Sequence, residues 1–286
     1  MRIPATGVLR GRPGESDIGP GDGRSVVVDC RFEMSDPEKG RADWLAGHIP
    51  GAAYAHLDND LSSPITVQTG RHPLPNPDRF SAYLASIGWT RDTLLVAYDE
   101  GSNAVASRLW WLMKYFGQRS ALLDGGLTAW VAAGFSLESG APKRRATAPT
   151  ELIADPQLTV DAAAIVRSLG GDALLVLDAR ASQRFSGEME NLDSRAGHIP
   201  GALNRPFGFN LAPGGRFKAP QELREEFAKL LGNRDTGGIV HSCGSGVTAC
   251  HNLFAMELAG MSGTRLYPGS WSEWIRDPAR PIATGS

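Results

Sequence analysis

The sequence predicts an α/β protein built as a tandem duplication of one domain, each copy a mainly parallel sheet with helices on both faces. Three observations carry this. Gly47-His48-Ile49-Pro50-Gly51-Ala52 recurs letter for letter as Gly197-His198-Ile199-Pro200-Gly201-Ala202. Upstream, Val26-Val27-Val28-Asp29-Cys30-Arg31 has its counterpart in Leu175-Val176-Leu177-Asp178-Ala179-Arg180, and downstream Leu123-Asp124-Gly125-Gly126 through Trp130 echoes Leu266-Tyr267-Pro268-Gly269 through Trp274. These landmarks keep their order at spacings of about 145 to 150 residues, as an internal repeat requires. Within each half, short β-branched runs alternate with helical patterns, which implies parallel strands joined by covering helices.

The elements follow in order. The first half opens on Gly- and Pro-rich sequence where the second has a helical run, Val160 to Leu169, so the entry helix of the first copy is expected to be lost or irregular. Asn76-Pro77 reads as an N-cap with proline at the first helical position, followed by Phe80, Leu84 and Ile87 at i, i+4, i+7. The strand Thr93 to Tyr98 comes next, then a helix carrying Leu109, Leu112 and Phe116. In the second half Leu223, Phe227 and Leu230 mark the matching helix, before a strand that ends near His241. The predicted domains are residues 1–136 and 157–286, with 137–156 as a linker rich in Pro, Ala and Thr. Lys143-Arg144-Arg145 reads as part of that solvated linker, not as a binding patch.

Composition removes several classes. At 286 residues, two domains of about 140 can each bury a core. A net charge of −2 carries no basic excess, so nucleic acid is not an expected partner. No stretch approaches 18 apolar residues and residues 1–20 lack a signal-like apolar run, so no membrane is expected. Three widely spaced cysteines do not make a disulfide framework, and the expected setting is the reducing cytoplasm.

The chemistry concentrates at Cys243. It opens Cys243-Gly244-Ser245-Gly246-Val247-Thr248, where the strand Gly238 to His241 meets a helix-like run from Val247 to Gly260. A thiol there faces unpaired backbone N–H groups and the positive end of a helix dipole, both of which favour the thiolate. Gly244 and Gly246 let the chain curl so that the amides of the loop, through Val247 and Thr248, converge on the sulfur.

Duplication separates scaffold from chemistry. His48 and His198 occur in both halves and read as turn or strand-entry residues; Asp29, Arg31, Asp178 and Arg180 read as strand-end ion pairs or caps. Aligning the halves sets Asp99-Glu100-Gly101-Ser102 opposite Cys243-Gly244-Ser245-Gly246, so one half holds the thiol and the other holds an aspartate. Cys250 and Cys30 read as small core residues, His241 as structural, and the tryptophans as core.

These residues resemble the two-domain rhodanese-like sulfurtransferase family. The doubled His-Ile-Pro-Gly-Ala, the segment Gly70-Arg71-His72-Pro73-Leu74-Pro75, Asp124-Gly125-Gly126 and the Cys243 loop fit in family order, from about Val26 to Trp274. The loop looks like the 3-mercaptopyruvate branch; the thiosulfate branch usually carries Arg and Lys at the second and third loop positions. Uncharged Gly244 and Ser245 suit a monoanionic donor better than a compact dianion.

The resemblance implies ping-pong transfer through a persulfide on Cys243. It implies that Ser245 and Asp58 complete a Cys–Ser–Asp arrangement, although His56 stands where the family often has another aspartate. It also implies that two arginines bind the donor carboxylate. Arg184 fits the first position. The segment before the second His-Ile-Pro-Gly-Ala is shortened, which leaves Arg195 as the candidate for the second, or as an ordinary surface arginine. His72 is a candidate lining residue.

No cofactor or metal is implied. The expected partners are a small sulfur donor and a thiol acceptor, such as a reduced thioredoxin-like protein or a low-molecular-weight thiol. Alternatives are thiosulfate as donor, or a non-enzymatic persulfide carrier or regulatory module. A cysteine phosphatase is disfavoured by Ala249, which stands where its loop needs arginine.

Overall fold

The computed structural model describes residues 6–9 and 25–285, and the chain divides into two compact units. The first holds residues up to Ser63, Pro75–Asp155 and Pro213–Phe217; the second holds Pro64–Leu74, Pro156–Ala212 and Lys218 onward. The units follow the two halves of the sequence with two exchanged segments. Among these is the stretch containing Arg71 and His72, which belongs to the second unit. The expected loss of the entry helix of the first half falls on residues 10–24, outside the described residues.

In the first unit, β1 (Thr6–Leu9), β2 (Ser25–Asp29), β3 (Ala53–Tyr54), β4 (Leu94–Tyr98) and β5 (Ser120–Leu123) form one parallel sheet ordered β1-β5-β4-β2-β3. Its helices are α1 (Lys39–Ala46), α2 (Pro77–Ser86), α3 (Ala106–Tyr115) and α4 (Gly126–Ala132). In the second unit, β6 (Leu175–Asp178), β7 (Leu203–Asn204), β8 (Ile239–Ser242) and β9 (Arg265–Leu266) form a parallel sheet ordered β7-β6-β8-β9. Its helices are α5 (Ala162–Ser168), α6 (Ser182–Ser186), α7 (Pro220–Leu231), α8 (Ala249–Leu258) and α9 (Ser270–Trp274). Every residue of β4, β6 and β8 is buried. Successive side chains of a strand point to opposite faces, so wholly buried strands mean sheets covered on both faces, as predicted.

The helices obey the sequence cues. Asn76 Oδ1 accepts the N–H of Asp78 at 2.9 Å and of Arg79 at 3.2 Å, with Pro77 at the first helical position of α2. Phe80, Leu84 and Ile87 are buried. In α7 the buried stripe is Leu223, Phe227 and Leu231, one residue beyond the predicted end at Leu230.

The repeated motifs are one structural device used twice. Arg31 donates from Nε and Nη2 to the Asp29 carboxylate and from Nη2 to Gly47 O at 2.7 Å. Arg180 does the same with Asp178 and with Gly197 O at 2.8 Å. Each arginine thus ties a strand end to the Gly-His-Ile-Pro-Gly turn. The histidines of those turns are scaffold: His48 Nδ1–H donates to Trp44 O at 2.7 Å and His198 Nδ1–H to Phe185 O at 2.8 Å.

Removing one member of a buried, bidentate pair strands the other charge, at a cost of about 3–5 kcal/mol. Arg31→Ala should therefore lower the stability of the first unit by about that amount in denaturant titrations. Arg31→Lys should recover only part of it, because a single ammonium cannot make the bidentate contact.

Candidate functional site

The site is assembled where β8 ends. Ser242 is its last residue, the loop runs from Cys243 to Thr248, and α8 begins at Ala249. Three hydrogen bonds fix this loop against the first turn of α9. The Cys243 N–H donates to Ser270 Oγ at 3.1 Å, and the N–H groups of Trp271 and Ser272 donate to the carbonyls of Cys243 and Gly244. Gly246 has φ +77°, and a Cβ there would lie 2.4 Å from Pro268 O. Only glycine meets both conditions.

Curled in this way, the loop directs its amides at the sulfur. Cys243, 2% exposed, accepts at Sγ from the Ser245 N–H at 3.4 Å and from the Gly246 N–H at 3.1 Å. The N–H groups of Val247 and Thr248, at the head of α8, have no acceptor among the described residues. Cys250 is buried in α8 with its thiol donating to Gly246 O at 3.3 Å, a packing role as expected. His241 lies in β8 among apolar neighbours, and burial pushes its pKa down to about 3. It stays neutral at ordinary pH and is structural.

Three further side chains of the second unit reach this loop. His72 Nδ1 and Ser245 Oγ share a hydrogen bond of 2.7 Å, with both groups buried. At Gly244 a Cβ would lie 2.8 Å from Arg71 Nη2 and 3.6 Å from Arg184 Nη1. The space that a larger loop residue would fill is therefore taken by two guanidinium groups. Their other ends are held by buried carboxylates. Arg184 donates from Nε and Nη2 to Glu190, and from Nη2 to Asp193 at 3.0 Å. Arg71 Nη1 donates to the other oxygen of Asp193. Burial works against the Glu190 charge, but Arg184 and the N–H groups of Leu192 and Asp193 hold its carboxyl below the ordinary range.

Sequence reasoning brought Cys243, Gly244, Ser245, Gly246, His72 and Arg184 to one place, and the fold assembles them there. Arg195 does not join them. Its side chain is exposed, its carbonyl accepts the Trp271 Nε1–H at 2.9 Å, and the guanidinium beside Arg184 is that of Arg71. Asp58 belongs to the first unit, where it is exposed and its N–H donates to His56 Nδ1 at 3.1 Å. Arg71 and Asp193 pair across 122 residues of chain, beyond what local sequence patterns register, and Glu190 meets Arg184 only through the fold of the irregular segment after α6. The available signal was the cationic residue inside Gly70-Arg71-His72, beside the one residue of that segment that was singled out.

The first unit repeats the construction without a thiol. The N–H groups of Leu127 and Thr128 donate to the carbonyls of Asp99 and Glu100, matching Trp271 and Ser272 in the second unit. The cradle is filled by the unit's own Asp99, whose carboxylate accepts from the N–H groups of Gly101, Asn103, Val105 and Ala106. Burial pushes the Asp99 carboxyl up and those four donors pull it back, leaving it above the ordinary range.

A cysteine loop at a strand-to-helix turn, carried by one of two duplicated parallel α/β units, defines a tandem-domain protein with one cradled, nucleophilic thiol. The model of the rhodanese-like domain matches residues 18–133 and 161–277, and the chain belongs to that family. It is 49% identical over 265 residues to a probable 3-mercaptopyruvate sulfurtransferase of Pseudomonas aeruginosa, covering 91% of this chain and 92% of that protein. It is 38% identical to a putative thiosulfate sulfurtransferase, SseB, of Mycobacterium tuberculosis, over 91% of each. Among solved structures, the 3-mercaptopyruvate sulfurtransferase SseA of Escherichia coli superposes with a TM-score of 0.74 at 32% identity, over 86% of this chain and 92% of that one. Among the described residues no helix is long and apolar enough to cross a membrane.

Because the cradle depends on the left-handed conformation at Gly246, Gly246→Ala should cost roughly 1–3 kcal/mol of stability. It should also slow alkylation of Cys243 by iodoacetamide at neutral pH, since the two sulfur-directed amides move. An unchanged alkylation rate would show that these amides do not activate the sulfur.

Proposed function

We propose that the protein is a sulfurtransferase that takes sulfur from 3-mercaptopyruvate, holds it as a persulfide on Cys243 and passes it to a thiol or to cyanide. The observation that carries this reading is the arrangement at the loop. A sulfur in an amide cradle stands beside two guanidinium ends at Gly244 and a hydroxyl–imidazole pair, Ser245 and His72.

The chemistry follows from that arrangement. The Cys243 thiolate attacks the donor sulfur; an S–S bond forms, the donor C–S bond breaks, and its electron pair leaves on carbon as the enolate of pyruvate. Arg71 Nη2 and Arg184 Nη1 offer the donor carboxylate charge-assisted N–H groups from two directions, which places its sulfur at the loop. The Ser245 hydroxyl, with His72 behind it, supplies the proton that converts the enolate to pyruvate. The outer sulfur then takes the unengaged N–H groups of Val247 and Thr248 as donors. In the second half-reaction an acceptor thiolate attacks that outer sulfur, and Cys243 leaves as thiolate. Asp58 is assigned to the catalytic set on its family position alone. Thiosulfate is the alternative donor, favoured by the similarity to the M. tuberculosis protein. The acceptor is read as a reduced thioredoxin-like protein or a low-molecular-weight thiol. The three free, buried cysteines suit a cytoplasmic setting.

Cys243→Ser should abolish turnover with every donor; residual activity in that variant refutes the assignment. With cyanide as a common acceptor, 3-mercaptopyruvate should be the better donor by kcat/KM, and a clear thiosulfate preference would reverse the donor reading. A charge-assisted contact contributes about 1.5–3 kcal/mol. Arg71→Ala and Arg184→Ala should each raise KM for 3-mercaptopyruvate roughly 10- to 100-fold, while Arg195→Ala should leave it within about twofold.

A further inference from the structure

We infer that Asp193 is a specificity-determining residue: it bridges Arg71 and Arg184, cancels part of their charge, and so tunes the site to a donor with one negative charge. This deepens the reading of the protein as a sulfurtransferase and rests on it.

The geometry of Asp193 differs from that of an ordinary surface pair. Its side chain is only 3% exposed, one carboxylate oxygen takes Arg71 Nη1, and the other takes Arg184 Nη2. Glu190, also 3% exposed, takes the remaining edge of Arg184. Arg180, within electrostatic reach of Cys243, is held by Asp178 and has Glu190 3.6 Å from its Nη1. Beside the loop, then, three guanidinium groups (Arg71, Arg180, Arg184) meet three carboxylates (Asp178, Glu190, Asp193). The cluster is neutral before the sulfur is counted.

That balance has a chemical meaning. The N–H ends at Gly244 can still bind a carboxylate, because hydrogen bonding there needs donors, not net charge. A dianion needs net positive charge to offset its desolvation, and this cluster has none to spare. A protein could admit or refuse the dianion by adding or removing cations in the loop. Here the cations come from outside the loop and Asp193 sets how much of their charge reaches the donor. Its bridging contact also holds the two guanidinium groups at a fixed separation, so it is a positioning residue as well.

The test is the ratio of kcat/KM for thiosulfate to that for 3-mercaptopyruvate, with cyanide as acceptor, in wild type, Asp193→Asn and Glu190→Gln. Asparagine keeps the shape and one acceptor while releasing one unit of positive charge. At an effective dielectric of about 40, between that of a protein surface and that of bulk water, one charge about 6 Å from the donor is worth roughly tenfold per extra donor charge. The ratio should rise about tenfold in Asp193→Asn, and the thiosulfate kcat/KM should fall more steeply with added salt than in wild type. Glu190→Gln should shift the ratio in the same direction, and it decides the matter if the Asn variant does not fold. A role confined to holding the arginines would lower both donors together. An unchanged or lower ratio, with no change in salt dependence, overturns the inference. The reading beneath it fails in a different way, through a wild-type enzyme that turns over neither donor.

Discussion

The interaction on which the site depends is the anchoring of the strand-to-helix loop by the next turn of the same unit. Trp271 and Ser272 give their N–H groups to the carbonyls of Cys243 and Gly244, and Ser270 Oγ takes the Cys243 N–H. With one side of the loop satisfied in this way, the amides of Ser245 and Gly246 are free to turn toward the sulfur. Ser270 adopts φ +52°, a conformation that costs a non-glycine residue roughly 1–3 kcal/mol. Its hydroxyl bonds to the Cys243 N–H and to Tyr267 O offset that cost. The glycine at Gly246 and the serine at Ser270 are therefore two halves of one constraint, separated in sequence and joined at the sulfur.

Because the chain contains this construction twice, the cradle can be judged apart from the thiol. Asp99 fills the first copy with four N–H bonds to a carboxylate. The cradle is thus a device for holding negative charge, and the side chain at its mouth decides what is done with that charge. A carboxylate fills it with the chain's own charge and leaves the amides occupied. A cysteine fills it with a nucleophile that can take on a second sulfur and give it up again. The exchange of one residue type separates scaffold from chemistry, whereas the Asp-x-Arg pair and the Gly-His-Ile-Pro-Gly turn remain the same in both units.

Much of this was legible in the sequence, for a physical reason. The wholly buried strands and the cap at Asn76 are local patterns, the repeat is one such set of patterns met twice, and local patterns are what a linear reading registers. The Cys243 loop was legible because glycine spacing at a strand-to-helix turn is itself local. The charge environment was not. Gly244 and Ser245 suggested a loop without cations, yet the absence of a side chain at Gly244 is what admits Arg71 and Arg184. Arg195 looked suitable because it precedes the second Gly-His-Ile-Pro-Gly, but its carbonyl is tied to Trp271 and its side chain is exposed. The ion pair between Arg71 and Asp193 exists only in three dimensions.

That pairing bears on how donor choice can be divided between loop and surroundings. A cation placed within the loop acts on the donor and on the sulfur together, because both lie on the same few residues. A cation brought in from Arg71 and balanced by Asp193 leaves the amide cradle as it is and alters only the field at the donor's charged end. The nucleophile and the specificity element therefore sit on separate segments, Cys243 to Thr248 for one and Arg71 with Asp193 for the other. The two can be varied independently, as long as the cluster stays buried enough for its charges to act at full strength.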